Sequence, residues 1–125
     1  MTSDHSPQVV AIVDDDQSIQ RALKDLMESA ELLARCYGSA EEFLESQHRS
    51  EIACLVADVR MPGMSGLELQ ARLKLEGARI PMIFITAHSD AKLKTEAMNA
   101  GAVDFLFKPF DDEVLLDKVR TALED

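Results

Sequence analysis

The stretch ACLVADVRMPGMSG, residues Ala53–Gly66, decides the class of fold. Its first part, Ala53–Ala57, is nearly continuous in apolar residues, as is typical of a strand buried on both faces of a sheet. Asp58 follows this run, and Pro62 and Gly63 then predict a rigid loop. A strand that is covered on both faces indicates a parallel sheet with crossover helices.

Four further apolar runs alternate with stretches of helical periodicity along the chain. Val9–Val13 and Met82–Ile85 are also continuous in apolar residues, so we predict that they are central strands. Leu32–Tyr37 and Val103–Phe107 each contain a charged residue, which favours edge strands. The alternation predicts an α/β fold: a doubly wound parallel sheet of five strands, in the order 2-1-3-4-5, with five helices.

Capping patterns and apolar stripes indicate the helices. Ser39-Ala40-Glu41-Glu42 and Ser65-Gly66-Leu67-Glu68 both fit the capping-box pattern and predict where the second and third helices start. The other three helices carry stripes that we expect to face the sheet rather than a cofactor. These stripes are Ile19, Leu23, Leu26 and Met27, then Leu93, Ala97 and Ala100, then Leu115, Val119, Ala122 and Leu123.

Length and charge restrict the class of protein. A chain of 125 residues with 46% hydrophobic content fits one domain, which we expect over residues 8–125 after a disordered tail of residues 1–7. The formal charge of −10, from 23 acidic and 13 basic side chains, would repel the phosphate backbone of a nucleic acid. We therefore expect no nucleic-acid binding by this chain alone.

Cysteine usage and hydropathy indicate the compartment. Cys36 and Cys54 form no CxxC pair and have no His nearby at zinc-ligand spacing, so we interpret them as reduced core residues of a cytoplasmic protein. The N-terminus lacks the features of a signal peptide, and no window approaches a membrane-spanning length. We expect neither export nor membrane insertion.

Three consecutive acids, Asp14, Asp15 and Asp16, follow the first strand. Their carboxylates would repel one another unless a cation or solvent compensates them, and a hard divalent cation is the natural compensator. The alternative is that they cap the first helix, Asp16 in particular.

The predicted sheet brings further polar groups to the same edge. Asp58, Thr86 and Lys108 each end a strand, and ligands of doubly wound sheets bind beyond the carboxyl ends of the strands where the strand order reverses. A carboxylate can attack phosphorus to form an aspartyl phosphate, while Mg²⁺ and Lys neutralise the transferring group. The hydroxyl of Thr86 could donate to a phosphoryl oxygen, and the loop could present the backbone carbonyl of Arg60 to the metal.

These residues resemble the receiver domain of two-component response regulators. The resemblance rests on Val13-Asp14-Asp15-Asp16, on the segment from Asp58 to Gly66, on Thr86-Ala87 and on Lys108-Pro109. It implies a CheY-like fold in which Asp58 accepts the phosphoryl group, and in which the acidic pair Asp14 and Asp15, together with Asp58, binds Mg²⁺ or Mn²⁺. It also implies that Thr86 is the switch hydroxyl, that Lys108 contacts the phosphate, and that the peptide bond before Pro109 is cis.

The resemblance extends to signalling. The segments Gly38–Leu44 and Gly101–Phe110 resemble receivers of the nitrogen-fixation regulator type, which commonly precede a helix-turn-helix output domain. No output domain is present in the sequence, so the chain either belongs to a longer transcription regulator or acts through partners alone. The implied phosphoryl donor is a sensor histidine kinase or a phosphotransfer protein.

The expected output is binding rather than enzymatic turnover beyond self-phosphorylation and self-dephosphorylation. Phosphorylation would draw in the loop Ala87-His88-Ser89 and let Phe105, which stands where many members carry Tyr, rotate inward. The face of helix four, strand five and helix five would then change its affinity for a partner or form a homodimer.

Two alternatives remain. Asp14-x-Asp16-x-Ser18 loosely resembles the opening motif of haloacid-dehalogenase phosphohydrolases, which would make Asp14 the nucleophile, although those enzymes usually have a longer chain with a cap. The other alternative is an unphosphorylated scaffold, which the presence of every expected functional residue disfavours.

Overall fold

The computed structural model describes residues 8–87 and 91–124. The predicted tail, residues 1–7, lies outside the described residues, as do His88 and Ser89 of the loop that we expect to move. Within the described part of the chain, no helix is both long enough and apolar enough to cross a membrane.

The sheet has five parallel strands in the predicted order, β2-β1-β3-β4-β5. The strands are β1 Val9–Val13, β2 Leu33–Tyr37, β3 Ile52–Asp58, β4 Met82–Thr86 and β5 Asp104–Phe107. The helices are α1 Gln17–Ser29, α2 Ala40–Glu45, α3 Gly66–Leu75, α4 Ala91–Asn99 and α5 Asp112–Glu124, with a short 3-10 helix at Arg49–Glu51. The predicted fold class is confirmed, and the predicted strand ends differ from the observed ones by a single residue where they differ at all.

The sheet is buried between two layers of helices, as the continuous apolar runs predict. Along β1, Val9, Ala11 and Val13 pack on the side of α2, α3 and α4, whereas Val10 and Ile12 pack on the side of α1 and α5. This alternation follows from the two-residue period of a strand. The predicted helix stripes face the same two cores, either fully or partly buried, except for Ala100, which follows α4 and belongs to neither core.

The helix starts confirm one capping box and correct the other. Ser65 forms the complete box with Glu68 at the start of α3. At the start of α2, the hydroxyl of Ser39 accepts a hydrogen bond from the backbone N–H of Glu42, but the Glu42 carboxylate accepts from the N–H of Gly38 and not from that of Ser39. The predicted start of α2 at Ser39 is therefore confirmed, but the reciprocal half of the capping box is absent.

Both cysteines are free, as predicted. Cys54 lies fully buried in β3, where loss of solvation raises the pKa of its thiol to about 12. Cys36 in β2 is half-buried, and its thiol donates to the backbone carbonyl of Gln20 at 3.6 Å.

Candidate functional site

Three carboxylates meet where the strand order reverses. Asp14 and Asp15 directly follow β1, and Asp58 is the last residue of β3, the strand that pairs with β1 so that Val13 lies opposite Ala57. One carboxylate oxygen from each of the three lies within 4.8 Å of the others. The structure thus brings together the acids that the sequence predicts as metal ligands.

Asp16 does not belong to this cluster. Its carboxylate accepts hydrogen bonds from the N–H groups of Ser18, at 2.8 Å, and Ile19, at 3.4 Å, as the N-cap of α1. The capping alternative is therefore right for Asp16.

Asp14 is held by three hydrogen bonds and is almost fully buried, with 1% of its surface exposed. Its Oδ1 accepts from the N–H of Asp16 at 2.9 Å, its own N–H donates to the carbonyl of Tyr37 at 3.1 Å, and its carbonyl accepts from the Gln20 amide at 2.7 Å. Its other carboxylate oxygen, Oδ2, has no hydrogen-bond partner. Among the described residues, Oδ2 of Asp14 is the one buried side-chain nitrogen or oxygen that lacks a hydrogen-bond partner.

Burial also changes the acidity of Asp14. The pKa of this carboxyl is raised from 3.8 to about 6, mainly because burial removes its solvation. The charges of Asp58 and Asp15 raise the pKa further. The hydrogen bond from Asp16 and the charge of Lys108 act in the opposite direction. A buried oxygen without a partner, beside two more carboxylates, is a donor set that suits a hard divalent cation such as Mg²⁺.

Lys108 supplies the positive charge of the site. Its Nζ lies 3.7 Å from Oδ2 of Asp58 and 3.9 Å from Oδ2 of Asp14. The residue directly follows β5, and its N–H donates to the carbonyl of Thr86 at 2.7 Å. The peptide bond to Pro109 is cis, as the resemblance implies. One ammonium group therefore faces two carboxylates.

Asp58 is the more accessible of these two acids. Its side chain is 15% exposed, compared with 1% for that of Asp14. Its Oδ1 accepts from the N–H of Arg60 at 3.0 Å, which leaves Oδ2 on the side of Lys108. Of the two acids that face Lys108, Asp58 is therefore the one that an incoming group can approach.

The two predicted switch residues lie on neighbouring strands next to the site. Thr86, the last residue of β4, is fully buried. Phe105 in β5 is 2% exposed and packs against Phe84 and Phe107, with ring centroids 6.1 and 5.4 Å away. The ring already occupies an interior position in this structure, so its inward rotation stays a prediction.

Two residues that the sequence did not single out for the site also shape it. Gly66 starts α3 so close to β3 that an added Cβ would lie 2.4 Å from the carbonyl oxygen of Asp58. Gln20 holds the backbone of Asp14 from α1. Gly66 could have been suspected from its place after the loop, whereas a polar residue on an amphipathic helix gives no such signal.

Comparison with known proteins assigns the family. The model of the response regulator receiver domain matches residues 10–120, so the chain belongs to this family of signalling domains. Receiver domains interact with histidine kinases. The phosphohydrolase alternative gains no support, because the matching family model is that of a response regulator receiver domain.

Individual relatives agree with this assignment. The response regulator protein TodT of Pseudomonas putida is 47% identical over 116 residues, which cover 93% of this chain and 51% of TodT. The transcriptional regulatory protein FixJ of Azorhizobium caulinodans is 44% identical over 91% of this chain and 54% of its own length. The chain thus spans about half the length of these curated relatives.

Solved structures show the same fold. The crystal structure of FixJ-N superposes with a TM-score of 0.85 at 38% identity and covers 98% of this chain and 96% of that one. The response regulator StyR superposes with a TM-score of 0.87 at 43% identity, over 94% of this chain and 60% of that one.

Proposed function

We propose that Asp58 is the phosphoacceptor of this receiver domain. One observation carries the proposal: Oδ2 of Asp58 lies 3.7 Å from the ammonium group of Lys108, inside the cluster of three carboxylates and at the edge where strand order reverses. Asp14 is the other candidate nucleophile, but its side chain is nearly inaccessible. A nucleophile has to reach the phosphorus of its donor, which favours Asp58.

The metal would be held by the carboxylates of Asp14, Asp15 and Asp58, with the backbone carbonyl of Arg60 as a further ligand. The unpartnered Oδ2 of Asp14 supports this assignment, since a bound cation would satisfy it. When bound, Mg²⁺ or Mn²⁺ supplies positive charge that neutralises the oxygens of a phosphoryl group.

The transfer step needs little from the protein beyond positioning and charge. An oxygen of Asp58 attacks the phosphorus of a phosphohistidine on a sensor kinase or a phosphotransfer protein. The new O–P bond forms as the P–N bond breaks, and the imidazole leaves with that electron pair. The ammonium group of Lys108 then pairs with a phosphoryl oxygen, and the hydroxyl of Thr86 donates to another.

The output follows from the position of Thr86 and Phe105. Their strands, β4 and β5, are adjacent, so a movement of Thr86 toward a phosphoryl group changes the packing beside Phe105. The face of α4, β5 and α5 then binds a partner or a second copy of the chain. This face carries mixed charges, including the ion pair of Lys118 with Asp104 at 3.2 Å, and exposed pairs of this kind contribute only about 0–1 kcal/mol each.

The process regulated by this switch is inferred from the relatives. FixJ is a transcriptional regulatory protein nearly twice as long as its matched region. By analogy, a DNA-binding output domain in a longer parent protein would act on transcription, because the formal charge of −10 disfavours direct binding of DNA by this chain.

Phosphorylation in vitro tests the proposal. Incubation with acetyl phosphate and Mg²⁺ should add one phosphoryl group to the intact mass of the wild-type chain and none to that of Asp58→Asn. Asp16→Asn is the matched control, because it removes an acid two residues from Asp14 that only caps α1, and it should be phosphorylated normally. A normal mass gain in Asp58→Asn would contradict the assignment.

A further inference from the structure

The loop between β3 and α3, residues 59–65, connects Asp58 to the rest of the molecule and is fixed at both ends. At its start, the N–H of Arg60 donates to Oδ1 of Asp58. At its end, the N–H of Gly66 donates to the carbonyl of Val59 at 2.8 Å, and the capping box of Ser65 anchors α3. Between these ends, Gly63 and Met64 contact a residue from another element.

That residue is Glu41, in the first turn of α2. Its Oε2 accepts a hydrogen bond from the backbone N–H of Met64 at 3.0 Å, across 23 positions of sequence. The adjoining Gly63 has a φ of +76°, and an added Cβ would lie 2.7 Å from the same carboxylate oxygen. The hydrogen bond and the glycine are separate observations, and both show the loop backbone in direct contact with Glu41.

The helix that carries Glu41 is anchored in the core. Its residues Ala40 and Phe43 are fully buried in the core beneath α2, so the helix cannot shift without disturbing that core. The Glu41 side chain itself is solvent-exposed, and its hydrogen bond to the N–H of Met64 restrains the loop backbone four residues after Arg60.

We propose that Glu41 is a positioning residue that fixes the β3–α3 loop and thereby sets the affinity of the site for its divalent cation. The inference rests on the proposed function, in which the carbonyl of Arg60 is a metal ligand. Glu41 acts through the loop backbone and contacts neither the metal nor the phosphoryl group. Partners that orient metal ligands commonly change affinity by about tenfold or more when they are removed.

A second explanation has to be separated from this one. The negative charge of Glu41 could attract the cation from a distance without any effect on the loop. Glu41→Gln distinguishes the two, because its amide oxygen still reaches the N–H of Met64 but carries no charge. Glu41→Asp does the opposite, since it keeps the charge and shortens the side chain by one methylene.

Two measurements on the metal-free and Mg²⁺-titrated protein test the proposal. In Glu41→Ala and Glu41→Asp we expect the amide of Met64 to exchange with solvent about tenfold faster without metal, and the Kd for Mg²⁺ from calorimetry to rise about tenfold. Glu41→Gln should stay within about twofold of the wild type in both measurements. Glu45→Ala, which removes an exposed carboxylate from the last residue of the same helix, is the matched control and should change neither.

Two results would overturn the proposal. If Glu41→Gln weakened Mg²⁺ binding as much as Glu41→Ala, charge and not the loop contact would be responsible. If Glu41→Ala changed neither measurement, the contact would have no role at the site. In both cases Asp58→Asn would still abolish phosphorylation if the proposed function is right, so failure of the inference and failure of the function are distinguishable.

Discussion

Asp14→Asn should stabilise the metal-free protein at neutral pH, although it removes a residue of the site. The folded protein raises the pKa of this carboxyl from 3.8 to about 6, so the folded state binds the proton more tightly than the unfolded state does. Asp14 therefore contributes stability to the metal-free wild type that is fully present below about pH 4 and is lost as the pH rises through about 6.

The size of the effect follows from that shift. A difference of about two pKa units, at 1.36 kcal/mol each, makes the charged form of Asp14 cost at most about 3 kcal/mol above pH 6. Asn can still accept the N–H of Asp16, but it loses the attraction to Lys108. We expect a net gain of about 1–2 kcal/mol at pH 7.5, equivalent to a rise in Tm of roughly 3–8 °C.

Thermal and urea unfolding at pH 5 and pH 7.5, each with and without Mg²⁺, measure this effect. The wild type should gain stability from Mg²⁺ at pH 7.5, and Asp14→Asn should lose most of that gain. Asp16→Asn is the control, since Asn caps a helix as well as Asp does and should preserve both the pH dependence and the Mg²⁺ response. Two results would contradict this prediction: metal-free Asp14→Asn is less stable than the wild type at pH 7.5, or its gain in stability over the wild type is as large at pH 5 as at pH 7.5.

Three further predictions concern the fold and the output. Gly66→Ala should lower the free energy of unfolding in urea by about 3 kcal/mol, because its Cβ would lie 2.4 Å from a backbone oxygen. Gly77→Ala is the control and should cost about 1 kcal/mol, since Gly77 has a φ of +76° but no atom near the added Cβ. Equal costs would contradict the close packing of α3 on β3. In the native protein a thiol reagent should modify Cys36 faster than Cys54, whose pKa is raised to about 12 by burial, and equal rates would contradict that burial. Beryllofluoride should raise the sedimentation coefficient at high protein concentration and shift the amide signals of Asp104–Phe107; if both stay unchanged, the face of α4, β5 and α5 is not the output.

The features that the sequence predicts are those that depend on local patterns. Continuous apolar runs identify the central strands, and the rule for parallel sheets then brings Asp14, Asp58 and Lys108 to one edge without any knowledge of distances. The structure confirms this convergence, since Nζ of Lys108 lies within 4 Å of a carboxylate oxygen of both Asp14 and Asp58.

The features that the sequence misses depend on how separate elements pack. The contact of Glu41 with Met64 joins residues 23 positions apart, and it requires the angle at which α2 lies on the sheet. The incomplete capping box of α2 is a local exception, since Glu42 accepts from the N–H of Gly38 rather than from that of Ser39. Periodicity shows which face of a helix is buried, but it does not show what a polar residue at the edge of that face contacts.

The position of the phosphoryl group tests the central claim most directly. An aspartyl phosphate can be reduced with borohydride to homoserine, and peptide sequencing by mass spectrometry then identifies the modified residue. After treatment with acetyl phosphate and Mg²⁺, the account predicts homoserine in place of Asp58 and unmodified acids at positions 14, 15 and 16. Homoserine in place of Asp14, with Asp58 intact, would contradict it.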